Sequence, residues 1–457
     1  MMQKRIFFSV LITLLCLSYC EGYAASAAGE TGDIQSFSLQ EVCDYALKHS
    51  TSTENARLDI LKAKKKIWET TATGLPQISA GASYTNNLKI PTTLIPAQFL
   101  DPDAEEGTFI GVKFGTQHNA TMDVSVNQLI FNGSYIVGLQ ASRIYLRLSE
   151  EQLQKSRIDV KESVTKTYYL ILLAEDNKKT LLANLENLKK TLFETTELHK
   201  AGFTEDTDVD QLQLSVTDME NAVKSMERQI TITYRLLKFQ MGFDLEKEIR
   251  LSQSLEDIVA ETDKGELLGG EFDFSSHIDY RMLDTQEKSY KLLLKNEQAA
   301  YLPTVSAFFS YSYMAMRDSF NFFSKDKWFP SMMLGVNVNI PIFSSGMRSA
   351  RVAQARMDLR KTVNLKKQVV DGLKLELLQA RSEFTDAREN TRNTKANVQL
   401  AKKIYEKTLV KYMSGTASSL ELTQTNNQYL GAESKYTTAV VELLNAKVRL
   451  DKALNRL

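Results

Sequence analysis

Histidines, thiols and paired acids are where reactive chemistry would gather, and in this chain they are dispersed. His49, His118, His199 and His277 stand far apart, with no His-Glu-x-x-His and no paired spacing suited to a metal. Cys16 and Cys20 lie in or beside an N-terminal apolar run, which leaves Cys43 alone in a processed chain. A single thiol makes neither an intramolecular disulfide nor a metal cluster, so Cys43 reads as a small buried apolar residue. No Gly-x-Ser-x-Gly elbow and no phosphate-cradling glycine loop occurs. Acid pairs such as Glu105-Glu106 sit in loop-like sequence and read as solvated. The expectation is a non-enzyme with no catalytic residue, no metal and no cofactor. The 56 basic and 56 acidic residues among 457 cancel, which argues against nucleic acid as a partner.

A chain without reactive groups works through shape, and shape follows from its elements. Residues 1–27 read as a secretory signal: Lys4 and Arg5, the apolar run Ile6 to Tyr19, then small residues with cleavage after Ala27. Lipid attachment at Cys20 is the competing reading, although bulky Tyr19 precedes it. No later apolar run spans a bilayer as a helix of roughly 20 residues. The mature chain is therefore either soluble or crosses a membrane as strands.

All seven prolines fall in two windows, Pro76 to Pro102 and Pro303 to Pro341. Proline breaks helices at a cost of ~3 kcal/mol, so the proline-free stretches permit long ones. From Leu153, alternating steps of four and three residues reach Val160, Val164, Ile171, Leu181, Leu185, Leu188 and Leu192; from Leu212 they reach Val216, Met219, Val223, Met226, Ile230 and Leu237. This 3.5-residue period predicts coiled-coil helices. A turn-rich break at 201–208 makes them an antiparallel hairpin, whose first arm, Gly133 to Lys200, would be about 100 Å long. The proline windows instead alternate with period two, predicting strands at 76–89, 118–132, 303–316 and 331–343. Each is long enough for a tilted bilayer crossing. Phe320, Phe322, Phe323, Trp328 and Phe329, with Tyr311 and Tyr313, suit an interfacial aromatic girdle.

The chain is one unit written twice. Gln128-Leu129-Ile130-Phe131-Asn132-Gly133 is echoed by Pro341-Ile342-Phe343-Ser344-Ser345-Gly346, and Gly202 by Gly415, 213 residues later. The expected organisation is a first repeat at 28–242, an acidic solvated connector at 243–276 and a second repeat at 277–457. Gly133 and Gly346 would join strand to helix, and Gly202 and Gly415 would mark the far hairpin turns. Four strands cannot close, and in lipid an open edge leaves backbone groups unpaired at several kcal/mol each. Closure needs further copies, eight strands from two or twelve from three.

Ser38-Leu39-Gln40-Glu41-Val42, the helix-ending Leu75-Pro76 and Leu302-Pro303, the Ile-Phe-x-Gly-type joins and the duplication resemble the TolC family of outer-membrane efflux proteins. The resemblance implies a mainly α fold with a membrane β-barrel portion: long coiled-coil hairpins and four strands per chain, trimeric, with a twelve-stranded barrel above a helical tunnel. It implies an outer-membrane location with helices in the periplasm, and a passive export duct in a tripartite efflux or type I secretion system. The implied partners are two further copies, outer-membrane lipid, a periplasmic adaptor (membrane fusion) protein and an inner-membrane pump of RND, ABC or MFS type. Asp208, Glu421 and Gln424 fall at family positions that constrict the tunnel, Gln424 standing where other members carry an acid. The turns, with Gly202, Phe203, Gly415 and Thr416, would meet the adaptor. Equally, Asp208 and Glu421 suit the first turns of their helices, where an acid complements the dipole. The alternative to a channel is a periplasmic coiled-coil scaffold or adaptor that never enters lipid.

Overall fold

The structure, a computed structural model, describes residues 35–264, 273–322 and 327–457. The expected signal segment, with Cys16 and Cys20, and the girdle residue Phe323 lie outside the described residues. The first half runs β1 (Gln35–Phe37), α1 (Leu39–His49), α2 (Thr51–Ala72), β2 (Gln77–Asn86), β3 (Thr92–Pro96), β4 (Phe109–Lys113), β5 (His118–Phe131), α3 (Gly133–Lys200) and α4 (Asp206–Met241). β6 (Ile249–Leu251) and α5 (Leu255–Lys264) follow, then α6 (Ile278–Ala299), β7 (Thr304–Arg317), β8 (Phe329–Asn339), α7 (Met347–Met413) and α8 (Ser419–Ala453).

Local chemistry sets the boundaries. Ser38 and Glu41 form a reciprocal capping box that starts α1. Asn132 accepts from the Tyr135 N–H at 3.1 Å and starts α3 directly after β5. β8 ends at Asn339, before Pro341, which has no N–H to give a ladder. The Pro341 carbonyl instead accepts from Arg348 Nη1 at 2.7 Å, and Arg348 lies over the Tyr301 ring. At the matching junction of the first half, Gln128 Nε2 donates to the Gly74 carbonyl at 2.7 Å.

Strands β2, β5, β7 and β8 form one antiparallel sheet in that order, so the two halves meet at the β5–β7 ladder. Its register separates two faces. One face stacks Ile78, Val126, Phe309 and Leu334 in one row, and Ala80, Val124, Tyr311 and Met332 in the next. The other carries Ser79, Ser125, Ser310 and Met333, then Gly81, Asp123, Ser312 and Ser331. The helices continue this order: α3 packs against α2 and α6, and α6 against α7. α4 and α8 fold back along α3 and α7.

Two regions depart from the sequence-based expectation. The described part of 243–276 is not a simple solvated connector. β6 pairs in parallel with β1, and Ile249 and Ile258 are buried with Val42, Ala46, Tyr168, Leu237 and Val448 in the largest apolar core. Its described acids, among them Asp244, Glu246, Glu256 and Asp257, are exposed while a sparse set of apolar side chains docks, a pattern too short to register as periodicity. The loop between β2 and β5 also carries its own hairpin, β3 with β4, so the described chain has eight strands, of which four make the main sheet.

Candidate functional site

The hairpin tips are built by the same backbone device. After α3, the Gly202 N–H donates to the His199 carbonyl and the Phe203 N–H to Leu198; after α7, the Gly415 N–H donates to Tyr412 and the Thr416 N–H to Lys411. This pattern consumes the helix's last carbonyls and requires a left-handed residue, here Gly202 at φ +81° and Gly415 at φ +72°. Nothing lies within 4 Å of a Cβ added at either glycine, so both turns project freely from the described chain. Phe203 is 79% exposed at the end of the first rod. Thr416 is exposed, and its hydroxyl donates back to the Lys411 carbonyl at 3.1 Å.

The structure brings Asp208 to the second hairpin of its own chain. Ser419 Oγ donates to Asp208 Oδ1 and lies 3.1 Å from Gln211 Oε1. Ser419 opens α8 and Asp208 stands in the first turn of α4, so one carboxylate complements two helix N-termini. Glu421 and Gln424 are exposed on α8, away from Leu422 and Asn426, which are buried against the first hairpin. Ser418 caps α8 by accepting from the Glu421 N–H at 3.2 Å. Asp208 is thus half-buried against the start of α8, while Glu421 and Gln424 are exposed.

Several links between the hairpins were not singled out from sequence. Tyr412 and Thr195 hydroxyls lie 2.9 Å apart, and Asn184 Nδ2 donates to Asn426 Oδ1 at 3.3 Å, all four residues being buried. Leu212, Tyr405, Tyr412 and Leu422 form an apolar cluster joining the two hairpins. The seven-residue spacing of Tyr405 and Tyr412 was the available signal.

At the opposite end of the rods, Gly133 opens α3, and Gly346, at φ +81°, immediately precedes α7. At the end of the sheet farthest from these joins, the apolar face ends in aromatics. Tyr84 Oη sits 2.8 Å from His118 Nδ1, and Tyr84, Phe320, Phe322, Trp328 and Tyr313 form a chain of ring contacts. Phe329 departs from that girdle: it pairs with Met314 and so falls on the face that carries Ser79 and Asp123. Among the described residues no helix is long and apolar enough to cross a membrane, and no group of His, Cys, Asp or Glu is arranged to hold a metal.

A two-faced sheet without closed edges, continuous with paired helical rods, defines a subunit of a membrane barrel with a helical stalk. The chain belongs to the outer membrane efflux protein family, which it matches over residues 42–242 and 289–456. It is an outer-membrane efflux channel subunit whose helices extend into the periplasm, and the alternative of a scaffold outside lipid is set aside. No curated protein matches it in sequence. Among solved structures it is similar to the CmeC outer membrane channel of Campylobacter jejuni, with TM-score 0.71, 18% identity, and coverage of 95% of this chain and 90% of that one. The outer membrane protein VceC of Vibrio cholerae gives TM-score 0.67 at 16% identity, covering 91% and 95%. The open-state MtrE channel of Neisseria gonorrhoeae gives 0.64 at 14%, covering 95% and 97%.

Proposed function

We propose that three copies of this chain close a twelve-stranded barrel and serve as the passive exit duct of a tripartite efflux or secretion assembly. The observation that carries the reading is the register of the sheet, which gathers mainly apolar side chains on one face and the serines with Asp123 on the other, across four strands with two edges, β2 and β8, that pair with no further strand among the described residues. β2 and β8 run antiparallel, so β8 of one copy can pair with β2 of the next without breaking the alternation. Three copies suit a duct better than two, because a barrel of about eight strands is filled by its own side chains. The apolar rows then face lipid and the serine rows face the lumen.

At the far end, the exposed tips with Gly202, Phe203, Gly415 and Thr416 dock a periplasmic adaptor, which couples the duct to an inner-membrane pump of RND, ABC or MFS type. Threefold symmetry places three copies each of Asp208, Glu421 and Gln424 around the tunnel end, where two sets of carboxylates favour cations. The duct itself performs no catalytic step and takes no cofactor. Conductance of the purified protein in planar bilayers, with subunit counting in detergent, tests this reading. A trimer that conducts ions is expected; a monomer in detergent-free buffer that leaves the bilayer silent would overturn it.

A further inference from the structure

We infer that Asp123 is the residue that gives the barrel lumen its ion preference, three Asp123 carboxylates forming a ring that favours cations; the inference rests on the barrel reading above. Asp123 stands in register with Gly81 on β2 and Ser312 on β7, and Ser312 with Ser331 on β8. The row therefore holds one acid among three small residues. The carboxylate leans over Gly81, where an added Cβ would lie 2.8 Å from Asp123 Oδ1. The rows on either side, Ser79-Ser125-Ser310-Met333 and Ser83-Thr121-Met314-Phe329, are uncharged.

Across the four strands the only other charged residue is Arg317. It pairs with His118 at the strand end, in the alternation that belongs to the apolar face. Its Nη2 donates to the Lys327 carbonyl at 2.9 Å. The polar face of the sheet thus carries a carboxylate with no base on the same face to cancel it.

The size of the barrel makes the effect dependent on salt. Twelve strands about 4.8 Å apart and tilted about 40° give a backbone radius of about 12 Å. A Debye length of about 30 Å at 0.01 M salt exceeds that lumen, whereas about 3 Å at 1 M confines the field to the wall. The ring acts on ions in transit without chelating them, because its members are too far apart to share one cation.

The test is the reversal potential of the full-length trimer in planar bilayers under a KCl gradient, with the dilute side at about 10 mM. Wild type should prefer cations. Asp123→Asn should move the reversal potential toward zero, and Asp123→Lys should move it further in the same direction. In symmetric 1 M salt all three should conduct alike. Asp123→Ser, which repeats the residue type of its own row, provides a second neutral variant. A neutral variant that conducts with an unchanged reversal potential in dilute salt overturns the inference. Failure of both neutral variants to insert also overturns it, since the acid would then be structural. A silent wild type would instead refute the barrel reading.

Discussion

Lys366 of α7 reaches α6, where its Nζ lies 2.6 Å from Asp284 Oδ1 and 3.0 Å from Glu287 Oε2. Bonds from Lys288 and Lys366 hold the Asp284 carboxyl down at about 2. Bonds from Lys291 and Lys366 lower Glu287 as well. Burial alone would pull the Lys366 ammonium down, but its two carboxylate partners outweigh burial and push it up. A depressed carboxyl contributes stability that is complete above its unfolded value, 3.8 for Asp284, and lost as pH falls through the folded value. The raised ammonium contributes below its unfolded value of 10.5, so the cluster works between these limits. Lys366→Met should cost about 1 kcal/mol at pH 7, a partly solvated network being worth little more. Chemical denaturation should show the gap between variant and wild type narrowing as pH falls from 4 toward 2. A gap independent of pH would assign the loss to packing instead. None of this was legible in sequence, because the partners lie 79 and 82 residues away.

At the scale of elements, α3, α4 and α7 end in the same glycine device, but the consequences of changing it differ. Gly242, at φ +71°, ends α4 against α1, and an added Cβ would run into the His49 carbonyl oxygen. Gly242→Ala therefore combines backbone strain with a backbone clash and should destabilise the fold by about 2–4 kcal/mol, read by thermal denaturation. Gly202→Val and Gly415→Val meet open space and carry strain alone, about 1–2 kcal/mol. Under the adaptor reading they should leave the trimer intact while lowering drug tolerance of cells; unchanged tolerance would argue against docking at the tips. The rods were legible because 3.5-residue periodicity persists over many turns, and α3 spans the stretch from Gly133 to Lys200. β6 and α5 were not, since three- and ten-residue elements show too few repeats of any period.

The whole molecule is governed by its need to bury one sheet face in lipid. Val124 pairs with Ala80 and Tyr311, and Val336 with Ala307, all on the apolar face; Ser125 pairs with Ser79 and Ser310 on the other. Arginine at Val124 or Val336 should cost about 2–4 kcal/mol near the bilayer midplane and reduce the trimer recovered from outer membranes. Ser125→Arg, facing the lumen, should assemble near wild-type levels. Equal recovery of all three variants would contradict the assignment of faces.

The sequence alone determined the duplication, the rods and the alternating strands, because periodicity and proline placement are local properties that survive without a partner. It also carried the resemblance that pointed to an efflux duct. The tertiary structure decided what meets what: that β5 pairs with β7 across the two halves, that Asp208 bonds Ser419, and that the acidic stretch after α4 supplies Ile249 and Ile258 to the main core. Such contacts join residues far apart in the chain, and their energies depend on geometry created only when the two halves fold against each other.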